Sequence, residues 1–384
     1  MTLNGMAITL YKDSVLNIDS EKELLKNEAE SFISRVSVQP KKYVANLNTV
    51  AELDNINGFS FPMTINNYEY ENSYICSPYT ALIPYALQEA KYIDGIFAKN
   101  ITKLFLPFYG VYLKLSKINK VIFVNNWLLS TNLYPVHWHG EGVKDAVNKI
   151  KEQHPLNAIA FRSLNYFSNK DLIEELVENG FVLVPSRQVY IYDTDVNAAM
   201  KHRQNKVDFK LLENTSYKIL TNVQVEEKHL PRIVELYNKL YIEKYSIHNP
   251  QFTTSFIKFA LESHFFDIEI FVDVDGQIDA VGGRFIIGNI VTIPIVGYDT
   301  ALPQKLGLYR MVLASTQKFA LENGMIFNVS SGAAHFKRLR GAKPFIEYTA
   351  IYISHLSFFR KLAWMITGKI LNSVIVPIMK KYKL

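Results

Sequence analysis

Apolar positions recur along the chain with two periods, near 3.6 and near 2, and the switches between them mark helices and strands. Helical patterns cover 21–34, 78–98, 142–153 and 171–178, and strand-like runs cover 121–125, 158–161 and 182–191. The stretch 194–216 is polar, rich in Lys, Asn and Asp, and reads as a boundary between two halves. Beyond it the pattern predicts a strand at 218–223, helices at 228–245 and 254–263, and strands at 267–272, 280–287 and 291–296. Asp275-Gly276 and Gly288-Asn289 are hairpin signals, so the last three strands are expected as an antiparallel meander. A helix at 306–323 ends at Gly324, followed by a strand at 325–330, a short helix at 333–340 and a strand at 345–354. This alternation predicts an α/β (α+β) layered fold.

The two halves close alike. Phe327-Asn328-Val329-Ser330-Ser331, a helix, Gly341 and Ile346–Tyr352 answer to Ala160-Phe161-Arg162-Ser163-Leu164-Asn165, a helix, Gly180 and Ser186–Tyr192. A strand, a turn and a longer helix precede each. Two copies of one α/β unit account for this; two unrelated units of the same class would read similarly.

Composition narrows the class. With 48% hydrophobic and 20% charged residues over 384 positions, the chain is globular and long enough for two cores. A net charge of +6 favours anionic partners: an acyl-CoA, a carrier-protein phosphopantetheine or a membrane face. No Arg/Lys-dense helix, zinc-ligand spacing or aromatic RNA-binding signature points to nucleic acid. The single cysteine, Cys76, excludes an intramolecular disulfide and suits a reducing compartment; it reads as a small half-buried core residue. His137-x-His139 lacks a third ligand in view, so no metal is expected. No basic segment followed by an apolar run opens the chain, and no stretch offers about 18 uninterrupted apolar residues, so neither a signal peptide nor a spanning helix is expected. The segment 356–378, punctuated by Arg360, Lys361 and Lys369, reads as an amphipathic helix that docks on its own domain or lies on a membrane. The expected location is cytoplasmic, or peripheral to the inner face of the membrane.

Pro303-Gln304-Lys305-Leu306-Gly307-Leu308-Tyr309-Arg310 sits at a strand-to-helix junction. A glycine there lets amides approach a phosphate, and the helix dipole adds roughly half a positive charge. Gln304-x-x-Gly307 before a helix resembles the acyl-CoA pyrophosphate loop of the GNAT acyltransferases, with a bulky Tyr309 where a small residue is usual. The 333–341 segment resembles that family's late helix flanking the pantetheine arm, with Phe336 beside it. With 125–135 and 185–190, these segments give the chain a resemblance to bacterial tandem-GNAT N-acyltransferases of the BioF2-like and FemAB-like kind. The resemblance spans most of residues 40–375. It implies two tandem GNAT-like domains, each a mixed central sheet flanked by helices, and acyl transfer to an amine. The implied organisation is an N-terminal extension (1–40), an acceptor-side or structural domain (41–195), a linker (196–216), a donor-binding domain (217–354) and a C-terminal amphipathic helix (355–384).

Under that resemblance Gln304, Lys305, Leu306, Gly307, Leu308, Tyr309, Arg310 and Phe336 hold the donor, acyl-CoA or acyl-carrier protein. Acyl transfer needs a base, an acid for the leaving group and a donor to the oxyanion. Tyr298 and Asp299 at the end of the third meander strand, His335 and Glu347 are the candidates; each also has an ordinary structural use. In the first half, Asn125, Asn126, Trp127, Ser130, Asn132 and Tyr134 form a polar run after an apolar strand, with Arg162 and Arg187 at neighbouring strand ends. Strand ends of α/β sheets are where ligands bind, and paired arginines suit a carboxylate or sulfonate on a small or lipid-like amine acceptor. A buried network joining the halves is the alternative. Two other functions remain open: a FemAB-like aminoacyltransferase acting on a cell-wall precursor, and a non-catalytic GNAT module, which Tyr309 favours.

Overall fold

Asn57 and Gly58, at φ of 53° and 86°, make the turn type whose twist matches paired strands. They join β1 (Val50–Ile56) to β2 (Phe59–Asn66). The computed structural model describes residues 17–89 and 96–382. The remaining strands are β3 (Val121–Val124), β4 (Ala158–Leu164), β5 (Val182–Tyr192), β6 (Lys218–Thr221), β7 (Phe266–Val272), β8 (Ile278–Ile287), β9 (Ile290–Tyr298), β10 (Ile326–Asn328) and β11 (Lys343–Tyr352). The principal helices are α1 (Ile18–Val36), α2 (Ile96–Leu115), α3 (Val143–Gln153), α4 (Lys170–Glu178), α5 (Arg203–Glu213), α6 (Leu230–Asn238), α7 (Thr254–Glu262), α8 (Leu308–Glu322), α9 (Ala334–Arg338) and α10 (Phe358–Ile370). The expected meander is β7–β8–β9. The helix expected at 78–98 lies partly outside the described residues, as does the start of the N-terminal extension.

The mixed α/β architecture of two like halves is present, but their strands form one sheet of eleven, ordered β1-β2-β3-β4-β11-β5-β10-β9-β8-β7-β6. Only β3–β4 and β9–β10 pair in parallel, so the sheet reads as a palindrome about the β11–β5 pair. The last strand of each half has crossed over. β11 lies between β4 and β5, and β5 pairs with β11 and β10. The repeat extends to backbone detail. Two residues beyond the final parallel pairs, Val124↔Phe161 and Thr292↔Asn328, stand Ser163 and Ser330, both left-handed at φ of 64° and 59°.

One face of the sheet carries α1 against both halves. Leu25, Ala29 and Phe32 of α1 are buried, and Glu28 accepts from Ser263 Oγ (2.5 Å) and the His264 amide (3.1 Å). The 196–216 segment is also structured: α5 packs on α8, and Phe209 and Asp208 are buried. The opposite face carries α2 and α10. The α10 helix continues through Leu371–Ile375 and Val376–Tyr382. Among the described residues one helix, Phe358–Lys381, is long and apolar enough to cross a membrane, with 28% of its apolar window buried. It contains most of the 356–378 segment that the sequence reads as an amphipathic helix, where Arg360, Lys361 and Lys369 interrupt the apolar run.

Candidate functional site

The seam between the halves is built from strand ends that turn sharply. Asn125 (φ 58°) and Leu128 (φ 60°) follow β3, Ser163 interrupts the end of β4, and Ser330 and Ala333 (φ 47°) follow β10. A left-handed leucine or alanine costs about 1–2 kcal/mol, so surrounding bonds must hold these turns. Thr131 Oγ1 donates to Ser330 Oγ (3.2 Å) across the halves, and the Asn132 amide donates to Ser163 Oγ (3.0 Å).

The asparagines of the polar run are bonded within the protein. Asn125 takes the Trp127 indole N–H (2.8 Å) and donates to the Leu133 carbonyl (2.7 Å). Asn126 donates to Thr64 Oγ1 and the Ile75 carbonyl, and Asn132 accepts the Trp127 amide (3.0 Å). All three asparagines and Trp127 are buried, with the indole among the rings of Phe32, Phe265 and Phe285. These bonds hold the loop, and the Trp127 ring meets both halves.

Two arginines behave differently there. Arg187 meets Glu347 in a forked pair (Nε–Oε1 2.8 Å, Nη2–Oε2 3.2 Å), and its Nη2 also reaches the Ser130 carbonyl and Thr131 Oγ1. Burial works against its charge, but Glu347 overrides that and holds its pKa above the ordinary value. Arg162 is only 9% exposed, yet it touches no carboxylate. Its Nη1 donates to the Ile75 carbonyl (2.9 Å) and to Asn126 Oδ1 (3.4 Å), while Nε and Nη2 have no partner among the described residues. Burial lowers its pKa, with Tyr74 and Glu347 opposing. Three donors of this largely buried guanidinium are thus unused within the protein, and they are not sealed from solvent.

Lys337 stands across the seam. Its Nζ donates to the carbonyls of Val329 (2.7 Å), Ser330 (3.2 Å) and Ser331 (2.7 Å), fixing the left-handed turn. Burial pushes its pKa well below the ordinary lysine value, and the three carbonyls favour the ammonium. Tyr241, in the helical stretch after α6, senses the Arg187 charge; burial raises its pKa, so it stays a proton donor. Sequence reasoning singled out neither residue. Lys337 lies inside the segment it quoted, and Tyr241 lies on a stretch that reads as a plain helix.

The expected donor residues lie together at the start of α8, but the turn is covered. Gln304–Leu306 form a single tight turn, Gly307 is left-handed (φ 71°), and Leu308 begins the helix. A Cβ on Gly307 would lie 2.6 Å from Leu211 Cδ2 of α5. Arg310 pairs with buried Asp208 (2.7 Å), which also holds Arg340 (2.6 Å). Tyr309 fills the space between Tyr298 (6.0 Å) and Phe336 (5.3 Å).

The expected proton-handling residues are scattered. Tyr298 accepts from Lys244 (3.3 Å), Asp299 is paired with Arg232 and Lys239, His335 is exposed, and Glu347 is committed to Arg187 and Ser186. Cys76 is fully buried rather than half-buried, and burial raises its thiol to about 11. His137 bonds Glu21 (2.8 Å), and no group of three metal-ligating side chains occurs among the described residues. One cleft of about 500 Å³ is lined by Tyr166, Gln188, Arg338, Phe345, Tyr348 and Lys380, and another of about 440 Å³ lies under α10; no residue of 298–310 lines either.

No protein-family model and no curated protein matches the chain. Solved structures similar to it include FemX (9% identity over 59% of this chain and 78% of that one, TM-score 0.45). L-PGS from Bacillus licheniformis is similar at 13% identity over 59% and 77% of the two chains, TM-score 0.44. A GCN5-related N-acetyltransferase from Kribbella flavida is similar at 12% identity over 61% and 81%, TM-score 0.32.

Proposed function

We propose that the chain transfers an acyl or aminoacyl group to an amine, with an anionic group of the substrate seated on Arg162 in the seam between the halves. The observation that carries this reading is the buried guanidinium itself. A largely buried guanidinium with no carboxylate on it is uncommon, and its three free donors, still open to solvent at the strand ends of an α/β sheet, suit an anionic group. The repeated unit, with one parallel pair of strands in each half and a helix capped by Gly307, supports the transferase class through the sequence resemblance. In this reading the free amine attacks the ester or thioester carbonyl directly, the new C–N bond forms, the C–S or C–O bond breaks, and the departing thiolate or alkoxide takes up the proton that the amine loses. Arg187 is held in the same seam by Glu347.

The donor is acyl-CoA or an acylated carrier protein if a diphosphate settles on Gln304–Arg310. Leu211 and Tyr309 crowd that turn, and this favours an aminoacyl ester as the second reading. A thermal-shift panel of CoA, acyl-CoAs, acylated carrier protein and puromycin, as an aminoacyl-adenosine probe, separates the two. At least one probe is expected to raise the melting temperature by several degrees. Arg162→Ala should lower transfer at least a hundredfold and Arg162→Lys less, because lysine keeps the charge and loses the fork. No shift with any probe, or full transfer by Arg162→Ala, would remove this reading.

A further inference from the structure

Two segments hold eleven cations and no acid. Residues 96–120 contribute five lysines, residues 348–384 contribute one arginine and five lysines, and the other 322 residues carry a net −5 against the chain's +6. The fold brings the helices of these two segments to one face of the sheet. Tyr112 of α2 meets Phe359 of α10 edge to face (5.6 Å), and Tyr109 OH lies 2.6 Å from Thr367 Oγ1. Arg360 anchors α10 through the carbonyls of Ser116, Leu156, Lys117 and Lys120.

Each helix is apolar on two sides. α2 packs Leu106, Tyr109 and Leu113 inward and leaves Phe105, Phe108, Val111 and Leu115 outward, at helical spacing. Phe108 is 71% exposed and Leu115 69%. α10 packs Ala363, Trp364 and Thr367 inward and leaves Phe358 (80% exposed), Phe359 and Met365 outward, with Val374 and Ile378 continuing beyond it. A helix of a globular protein has one apolar stripe, and contiguous exposed apolar surface marks an interaction site. Exposed Lys117, Lys369 and Lys380 accompany this surface.

We infer that α2 and the α10 helix together form a docking face for an anionic lipid bilayer, lying in its interface rather than crossing it. Apolar side chains enter the acyl boundary while the lysines meet anionic headgroups. The charge distribution selects a lipid surface over a protein: a cationic fringe around large apolar groups, on a chain acidic elsewhere, complements a negatively charged sheet of headgroups. Tyr112–Phe359 and Tyr109–Thr367 hold the two helices side by side, so the surface is two helices wide.

Co-sedimentation of the full chain with vesicles tests this independently of any transfer activity. Vesicles containing 30% phosphatidylglycerol in phosphatidylcholine, on the order of a cytoplasmic-leaflet charge, should bind at least tenfold more protein than pure phosphatidylcholine, and 0.5 M salt should remove most of that gain. Phe108→Ser/Phe358→Ser and, separately, Lys117→Gln/Lys369→Gln/Lys380→Gln should each lower binding about tenfold with unchanged melting, since all five side chains are exposed. Equal binding to both vesicle types, or full binding by both variants, overturns the inference. So does resistance to alkaline carbonate extraction, which would mean that Phe358–Lys381 spans, or a dimer that the phenylalanine variant dissociates, which would make the face a protein interface.

Discussion

At the scale of single residues, neighbours decide what a carboxylate can do. Asp299, one of the expected proton-handling residues, follows β9, and burial alone would raise its pKa. Hydrogen bonds from Arg232 (2.6 Å), the Ala301 amide (3.0 Å) and Lys239 (3.0 Å) reverse that and bring it from 3.8 to about 2. Such a group is a weak base and a strong ion-pair partner, so it braces β9 against α6. Its folded pKa lies below its unfolded one, so the stability it contributes is present above about pH 4 and is lost as pH falls through about 2. A shift of that size corresponds to at most about 2.5 kcal/mol, reduced by solvent screening to about 1–2. Asp299→Asn should therefore cost about 1–2 kcal/mol at pH 7, with the gap to the parent closing between pH 4 and pH 2 in urea melts. A gap independent of pH would show that shape, not charge, is what Asp299 supplies. Arg162 is the opposite case: Asp299 has its partners on neighbouring elements, while three donors of Arg162 have none among the described residues.

Elements meet where backbone approaches backbone. Gly297 of β9 faces α6 so closely that a Cβ would lie 2.5 Å from the Leu236 carbonyl carbon and 2.6 Å from the Tyr237 nitrogen. These are main-chain atoms, so no rotamer change relieves the clash. Gly297→Ala should lower the urea midpoint by the equivalent of about 3 kcal/mol, the upper end for overpacking. Gly324→Ala, which meets nothing within 4 Å but keeps φ at 63°, should cost only about 1 kcal/mol. Similar losses for both would mean that α6 can slide away from β9. The meander that carries Gly297 was legible in the sequence, because Asp275-Gly276 and Gly288-Asn289 fix its turns. The β1–β2 hairpin escaped the pattern although Asn57-Gly58 announces it, since Pro62 inside β2 argues against a strand. α5 escaped for another reason: two of the residues it buries, Asn205 and Asp208, are polar, so its inner face carries no apolar period. The site was legible as a place, at the polar strand ends. Its partition into loop-holding asparagines and an unpaired Arg162 depends on contacts between residues up to 87 positions apart.

For the whole molecule, the exchange of last strands decides how the halves depend on each other. A repeat read from sequence suggests two bodies joined by a linker at 196–216, each able to close its own sheet. In the folded chain β5 finds its ladder partners only in β10 and β11, and β11 finds its own only in β4 and β5. Cut at 195/196, the first fragment would hold β5 with no strand to pair with, and the second would hold β11 in the same position. β4 and β10 would each be left as an open edge. Unpaired edges next to apolar strands recruit other chains, so each fragment expressed alone should aggregate. Coexpressed, the two should form a soluble one-to-one complex with the far-ultraviolet spectrum of the intact protein, because every missing ladder is restored. The intact chain should unfold in one transition, since no boundary in the eleven-stranded sheet separates the halves. Two soluble, monomeric fragments with native-like spectra would contradict the exchange, and would mean that each half closes on its own last strand. If the exchange holds, Arg187 of β5 and Glu347 of β11 are brought together only when both halves are present, and the seam around Arg162 exists only in the joined sheet.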